Sequence, residues 1–163
     1  MTLDELEAIA AAVGARLKEK GLVLTTAESC TGGWVAQAIT SVSGSSDWFD
    51  RGFVTYSNEA KREMLGVRRG TLERHGAVSE ETAREMAAGA LAASRAQIAV
   101  AITGVAGPTG GSPQKPVGMV CFAWAVHGGP ADAATFRFDG DRESVRRQSV
   151  VVGLQGVLDR TSG

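Results

Sequence analysis

Seven residues near the start of the chain, Ala27-Glu28-Ser29-Cys30-Thr31-Gly32-Gly33, decide the fold class. They stand between an apolar segment of strand length and a segment with helical character. A strand that turns through glycines into a helix is the building unit of an open α/β sheet. Such a turn lifts its residues to the carboxyl edge of the sheet, where folds of this kind bind ligands. The helix start offers free N–H groups to an anion, and glycine lets a ligand approach the backbone closely.

The apolar periodicity of the remaining sequence predicts the other elements. Thr2-Leu3-Asp4-Glu5 reads as a capping box, and Leu3, Leu6, Ile9, Val13 and Leu17 follow at helical spacing until Gly21. A strand is predicted over 22–26, a helix over 34–40, a Ser/Gly loop over 41–46 and a strand over 49–56. Asn58 is the predicted cap of a helix over 59–65. Residues 75–78 read as a connection. Ser79 caps a further helix whose first turn carries Glu80 and Glu81, as the helix dipole prefers. Residues 97–103 form an unbroken apolar run, suited to a strand covered on both faces. A Gly/Pro-rich loop over 104–116 leads to a strand over 117–126, a turn at 127–130, a partner strand over 133–138 and a final helix over 142–158. The expected fold class is α/β: a three-layer α/β/α single domain over residues 1–163 with a mixed, mostly parallel sheet.

Composition narrows the function. At 163 residues the chain suits one domain, and a domain of that size buries roughly 70% of its unfolded surface without needing staples. A formal net charge of −1 gives no broad basic field, so nucleic acid is not the expected partner. Two cysteines make no disulfide framework. The N-terminal residues lack the pattern of a signal peptide, and no apolar run reaches the ~18 residues of a membrane span. The expected setting is cytoplasmic, with no membrane partner. No His/Cys/Asp/Glu group has ligand spacing, so no metal is expected. A two-fold homodimer is the expected assembly, being the commonest among soluble proteins.

The chemistry centres on Ser29, placed at the strand–helix turn as a nucleophile would be. The plain structural reading makes it an N-cap. Cys30 is a rival nucleophile, since a helix N-terminus lowers a thiol pKa. A serine needs a base. The only histidines are His75 and His127. Lys61 is the alternative: in the first turn after Asn58 the dipole disfavours its charge, and burial would lower its pKa further. Tyr56, the only tyrosine, stands at a predicted strand end and is read either as a proton donor or as core. A second Gly-rich segment, Thr103-Gly104-Val105-Ala106-Gly107-Pro108-Thr109-Gly110-Gly111-Ser112, suits a phosphate or ribose. Arg142 and Arg146 share a helix face beside Arg147 and offer an anion clamp; a solvated basic face is the other reading.

The motifs Thr26 to Gly33, Gly44-Ser45-Ser46, Gly52 to Lys61, Gly104-Val105-Ala106-Gly107-Pro108 and Lys115-Pro116-Val117-Gly118, in this order, resemble the CinA C-terminal domain family over residues 3–158. The stand-alone members of that family are nicotinamide-nucleotide amidohydrolases. The N-terminal nucleotide-binding module of full CinA proteins is not expected here. The resemblance implies hydrolysis of nicotinamide mononucleotide to nicotinic acid mononucleotide and ammonia, without a cofactor. It implies Ser29 as nucleophile, Lys61 as base and Tyr56 as the family tyrosine. Ser46 and Thr103 match its active-site hydroxyls, and Arg142 or Arg146 its phosphate-binding arginine. Thr31, Gly32, Gly33, Gly104 and Gly107 complete the expected binding set. The alternative is a non-catalytic nucleotide- or partner-binding module of the competence/damage-inducible CinA type.

Overall fold

The computed structural model describes residues 3–163, with side chains from residue 5 onward. The capping box read at Thr2–Glu5 lies outside the described residues. The elements run α1 (Leu3–Lys20), β1 (Leu24–Glu28), α2 (Trp34–Thr40), β2 (Phe49–Val54), α3 (Asn58–Leu65), α4 (Arg69–His75), α5 (Glu80–Ala92), β3 (Ile98–Gly104), β4 (Met119–Val126), β5 (Asp132–Arg137) and α6 (Arg142–Asp159). A short 3-10 turn over Ser45–Asp47 precedes β2.

One five-stranded mixed sheet has the order β2-β1-β3-β4-β5. β2, β1 and β3 run parallel, and β3, β4 and β5 are joined antiparallel. The parallel strands put the ends of β1, β2 and β3 at one edge, and the loops leaving that edge build the pocket described below.

Side-chain size alternates along the central strands and sets the layers. Ile98, Val100 and Ile102 of β3, with Val120, Phe122 and Trp124 of β4, pack against Val13 and Leu17 of α1, Ile39 of α2 and Val150 and Leu154 of α6. Their neighbours Ala99, Ala101, Cys121, Ala123 and Ala125 face the other way, onto Ala83, Met86, Ala87 and Ala90 of α5. Small residues on both partners let α5 lie close to the sheet. Gly89 continues that closeness outward: a Cβ there would stand 1.8 Å from the Leu65 carbonyl oxygen. The end of α3 is thereby fixed against α5, and α3 carries Lys61.

Two local expectations change. Ser57, not Asn58, caps α3, its side chain accepting from the Ala60 N–H. An extended Ser57 leaves Asn58 already helical. The helix α4 was not read from sequence, because its seven residues, Arg-Gly-Thr-Leu-Glu-Arg-His, hold one large apolar side chain and no amphipathic repeat. Ser79 caps α5 as expected, accepting from Thr82 N–H.

Candidate active site

Ser29 does not cap α2. The strand ends at Glu28 and the helix begins at Trp34, so residues 29–33 form a separate turn. Its geometry requires glycine at two places: Gly32 has φ +57 and Gly33 φ +101, both in the left-handed region that other residues rarely adopt. Gly33 occupies the cap position and has no side chain to satisfy the helix N–H groups. Glu28 does that instead. Its carboxylate, buried with the residue 1% exposed, accepts from Val35 N–H at 2.9 Å and Ala36 N–H at 3.1 Å. A carboxylate at a helix N-terminus also meets the positive end of the dipole. The reading from sequence assigned Glu28 no role. A capless Gly-Gly helix start with an acid just upstream was the available signal.

Lys61 is the largest fully buried side chain among the described residues, 1% exposed. On α3 it shares the buried face with Leu65, one turn later. Its Nζ lies 3.0 Å from Ser29 Oγ and donates to the Thr55 carbonyl at 2.8 Å. It forms no ion pair with a carboxylate among the described residues. Removal from water penalises the ammonium, and burial pulls the Lys61 pKa down from 10.5 to about 8. The sequence argument named the helix dipole first; burial is the leading cause here.

Thr55 is the second residue that sequence reasoning missed. Its N–H donates to the Glu28 carbonyl at 2.8 Å, which extends the β1–β2 ladder by one step past the strand ends. On the other side, Ser29 N–H donates to the Ile102 carbonyl at 2.9 Å. The nucleophile candidate and the carbonyl that holds Lys61 are thus both fixed by sheet hydrogen bonds, and that rigidity sets the Ser29–Lys61 distance.

The two groups open into a pocket of about 370 Å³. Ser29, Cys30, Tyr56, Lys61, Thr103, Gly104, Gly107 and Arg142 line it, together with Ala77, Val78, Val105, Ala106, Thr109 and Gly110. The Ala/Val wall suits the face of a flat ring, and Arg142 stands at the rim. Arg142 donates to the Gly107 carbonyl at 2.7 Å and to the Tyr56 hydroxyl at 3.2 Å. Tyr56 is 63% exposed, so it is not a core residue. Thr103 donates its hydroxyl hydrogen to the Ala77 carbonyl at 2.9 Å. That bond ties the connection after α4 to the end of β3.

Several expected site residues lie elsewhere. Ser46 is exposed on the turn before β2, at the amino end of the sheet and a strand length from Ser29. Thr31, Gly32 and Gly33 shape the turn without lining the pocket. Gly32 N–H is already committed to the Ser29 carbonyl at 3.0 Å. Arg146 points away from the pocket and donates to the Cys30 and Thr31 carbonyls at 3.0 and 3.1 Å. One helical turn separates it from Arg142, yet only Arg142 reaches the rim. Cys30 is 6% exposed, and burial pushes its thiol up to about 12, which keeps it protonated at neutral pH. His75 lies at the end of α4 with Nδ1 3.6 Å from Glu81. His127 follows β4 at the opposite sheet edge. Neither histidine lines the pocket. No group of three or more His, Cys, Asp or Glu is arranged to hold a metal among the described residues.

Comparison with known proteins agrees with this architecture. The model of the CinA C-terminal domain matches residues 6–161. The chain is 57% identical over 155 residues to nicotinamide-nucleotide amidohydrolase PncC of Escherichia coli (strain K12), covering 95% of this chain and 94% of that protein. Identity to nicotinamide-nucleotide amidohydrolase PncC of Pseudomonas putida is 51% over 156 residues, with 96% and 97% covered. The solved structure of competence/damage inducible protein CihA from Agrobacterium tumefaciens superposes with a TM-score of 0.93 at 46% identity, covering 97% of this chain and 96% of that one. The chain belongs to the CinA C-terminal domain family.

Proposed function

We propose that this protein is a nicotinamide-nucleotide amidohydrolase that converts nicotinamide mononucleotide to nicotinic acid mononucleotide and ammonia, with Ser29 as nucleophile and Lys61 as base. One observation carries the reading: a buried lysine with no ion-pair partner among the described residues stands 3.0 Å from a serine hydroxyl at the floor of a pocket. Burying an ammonium away from water is costly, and a pKa lowered to about 8 brings the neutral amine within reach at mildly alkaline pH, which a base needs and a binding module does not. The names of relatives more than half identical to this chain support the choice of substrate.

Neutral Lys61 keeps one N–H on the Thr55 carbonyl, which leaves its lone pair free to face Ser29 Oγ. The lone pair takes the Ser29 proton as Oγ attacks the carboxamide carbon. The backbone N–H of Cys30, beside the nucleophile at the pocket, holds the oxyanion; such a donor is typically worth about 3–4 kcal/mol. The C–N bond then breaks, and the Lys61 ammonium returns its proton to the departing nitrogen, giving ammonia and an ester on Ser29. Lys61, neutral again, takes a proton from water as the water oxygen attacks the ester. It then protonates Ser29 Oγ, and the nicotinate product leaves. Arg142 at the rim binds the phosphate, and Tyr56 orients Arg142 through its hydroxyl.

Ammonia release from nicotinamide mononucleotide by the purified protein tests the reading. Turnover by wild type and none by Ser29→Ala is the expected result. Tight binding of the nucleotide without any ammonia would favour the binding module instead.

A further inference from the structure

Arg146 is partly buried, lies outside the pocket, and faces the turn that bears Ser29. Three successive carbonyls of that turn are held by four hydrogen bonds. Gly32 N–H donates to the Ser29 carbonyl and Trp34 N–H to the Thr31 carbonyl, each at 3.0 Å. Arg146 supplies the other two, Nε to Cys30 and an NH2 hydrogen to Thr31. A guanidinium presents its donors in a fixed plane, so one side chain fixes the orientation of two consecutive peptide planes. In a trans peptide the N–H points opposite to its carbonyl, so this also fixes the Thr31 and Gly32 N–H directions. Gly32 is the N–H that closes onto Ser29.

The guanidinium is itself held in place. Its carbon sits 5.4 Å from the centre of the Trp34 ring. A Cβ at Gly32 would stand 3.4 Å from one of its nitrogens, an ordinary contact, so the φ of +57 rather than space calls for glycine there. Val145 and Ser149 on either side of it in α6 are fully buried, which anchors that stretch of helix. Trp34 follows the turn directly, so turn, ring and arginine form one packed unit.

We propose that Arg146 is a positioning residue: it holds the Cys30–Thr31 peptides so that Ser29 Oγ and the neighbouring N–H groups keep the geometry needed for acyl transfer. It touches neither substrate nor the reacting atoms. This inference rests on the Ser29 reading above. Arg142 and Arg146, one turn apart on α6, thus separate binding from alignment.

Steady-state kinetics on nicotinamide mononucleotide, with Arg146→Met and Arg146→Lys compared to wild type, tests it. Arg146→Met should lower kcat by about 100-fold, the size expected when a nucleophile shifts by about 1 Å, with KM within threefold and the alkaline-rising pH limb unmoved. Arg146→Lys, able to hold one carbonyl but not both in plane, should fall between the two and also leave KM alone. A raised KM with normal kcat would make Arg146 a substrate contact and overturn the proposal, as would wild-type kcat in Arg146→Met. If Arg146→Met fails to fold, the KM and kcat of Arg146→Lys decide by the same criteria. Absence of turnover in wild type would instead defeat the functional reading itself.

Discussion

Lys61 donates to the carbonyl of Thr55, six residues before it, at 2.8 Å, and this bond directs the remaining face of its amine at Ser29. A backbone carbonyl accepts from both the charged and the neutral amine. It therefore fixes the direction of Nζ without restoring the charge that burial disfavours, as a carboxylate would. The role proposed for this lysine as base needs the neutral form, which burial favours by lowering its pKa to about 8.

The rate should accordingly rise with pH along a single limb near pH 8, the folded-state value for Lys61, rather than near 10.5. A pH profile of kcat/KM measures it. Lys61→Arg should be nearly inactive at every pH, because arginine does not give up its proton. Near-wild-type turnover by that variant would leave the lysine with a purely electrostatic role.

Stability should carry the same signature. Between about pH 8 and 10.5 the unfolded chain holds a proton that the folded chain has lost, so stability rises with pH across that window. Below about 8 the fold bears the whole cost, on the order of 3 kcal/mol. Lys61→Met removes that cost and keeps the apolar stem, although the freed Thr55 carbonyl offsets roughly 1–3 kcal/mol. The stability of Lys61→Met relative to wild type should be greatest at pH 6.5 and shrink by pH 10. Denaturant unfolding at the two pH values measures it; an equal difference at both would contradict the lowered pKa.

Ser29→Ala should lose turnover and keep its affinity for the nucleotide, since Arg142, the proposed phosphate contact, is untouched. Cys30→Ala should retain most of the wild-type rate, because a thiol held near 12 contributes no thiolate. Mass spectrometry of acid-quenched enzyme should find the acyl group on the peptide bearing residue 29, and Cys30→Ala should trap it equally well.

Arg142→Ala should raise KM by roughly 10- to 150-fold with little change in kcat, the equivalent of a charged hydrogen bond worth about 1.5–3 kcal/mol. Tyr56→Phe should act in the same direction but less, as it removes only the hydroxyl that accepts from Arg142. Normal KM in both would move the phosphate to the loop amides around Gly107 and Gly110.

The sequence by itself determined what depends on near neighbours along the chain. The strand–turn–helix read over residues 22–40, the Ser79 cap of α5, the final helix and the antiparallel hairpin all follow from apolar spacing, caps and glycines, whose physical reach is a turn or two, although the strand itself lies two residues later, at Leu24–Glu28. The α4 helix escaped because it carries no such periodicity. Tertiary structure alone decided the burial of Lys61. Residues 29 and 61 meet only because parallel β1 and β2 end at one sheet edge and Gly89 lets α3 settle onto α5. The same holds for the division of labour between Arg142 and Arg146, which share a helix face and differ only in what the sheet edge presents to each. Ser29 lines the pocket while Ser46 and His127 stand at the other end of the sheet, because strand direction sets which end a residue reaches and no local signal records it. Desolvation is the sum of everything packed around a group, so the lowered pKa of Lys61 exists only in the folded protein.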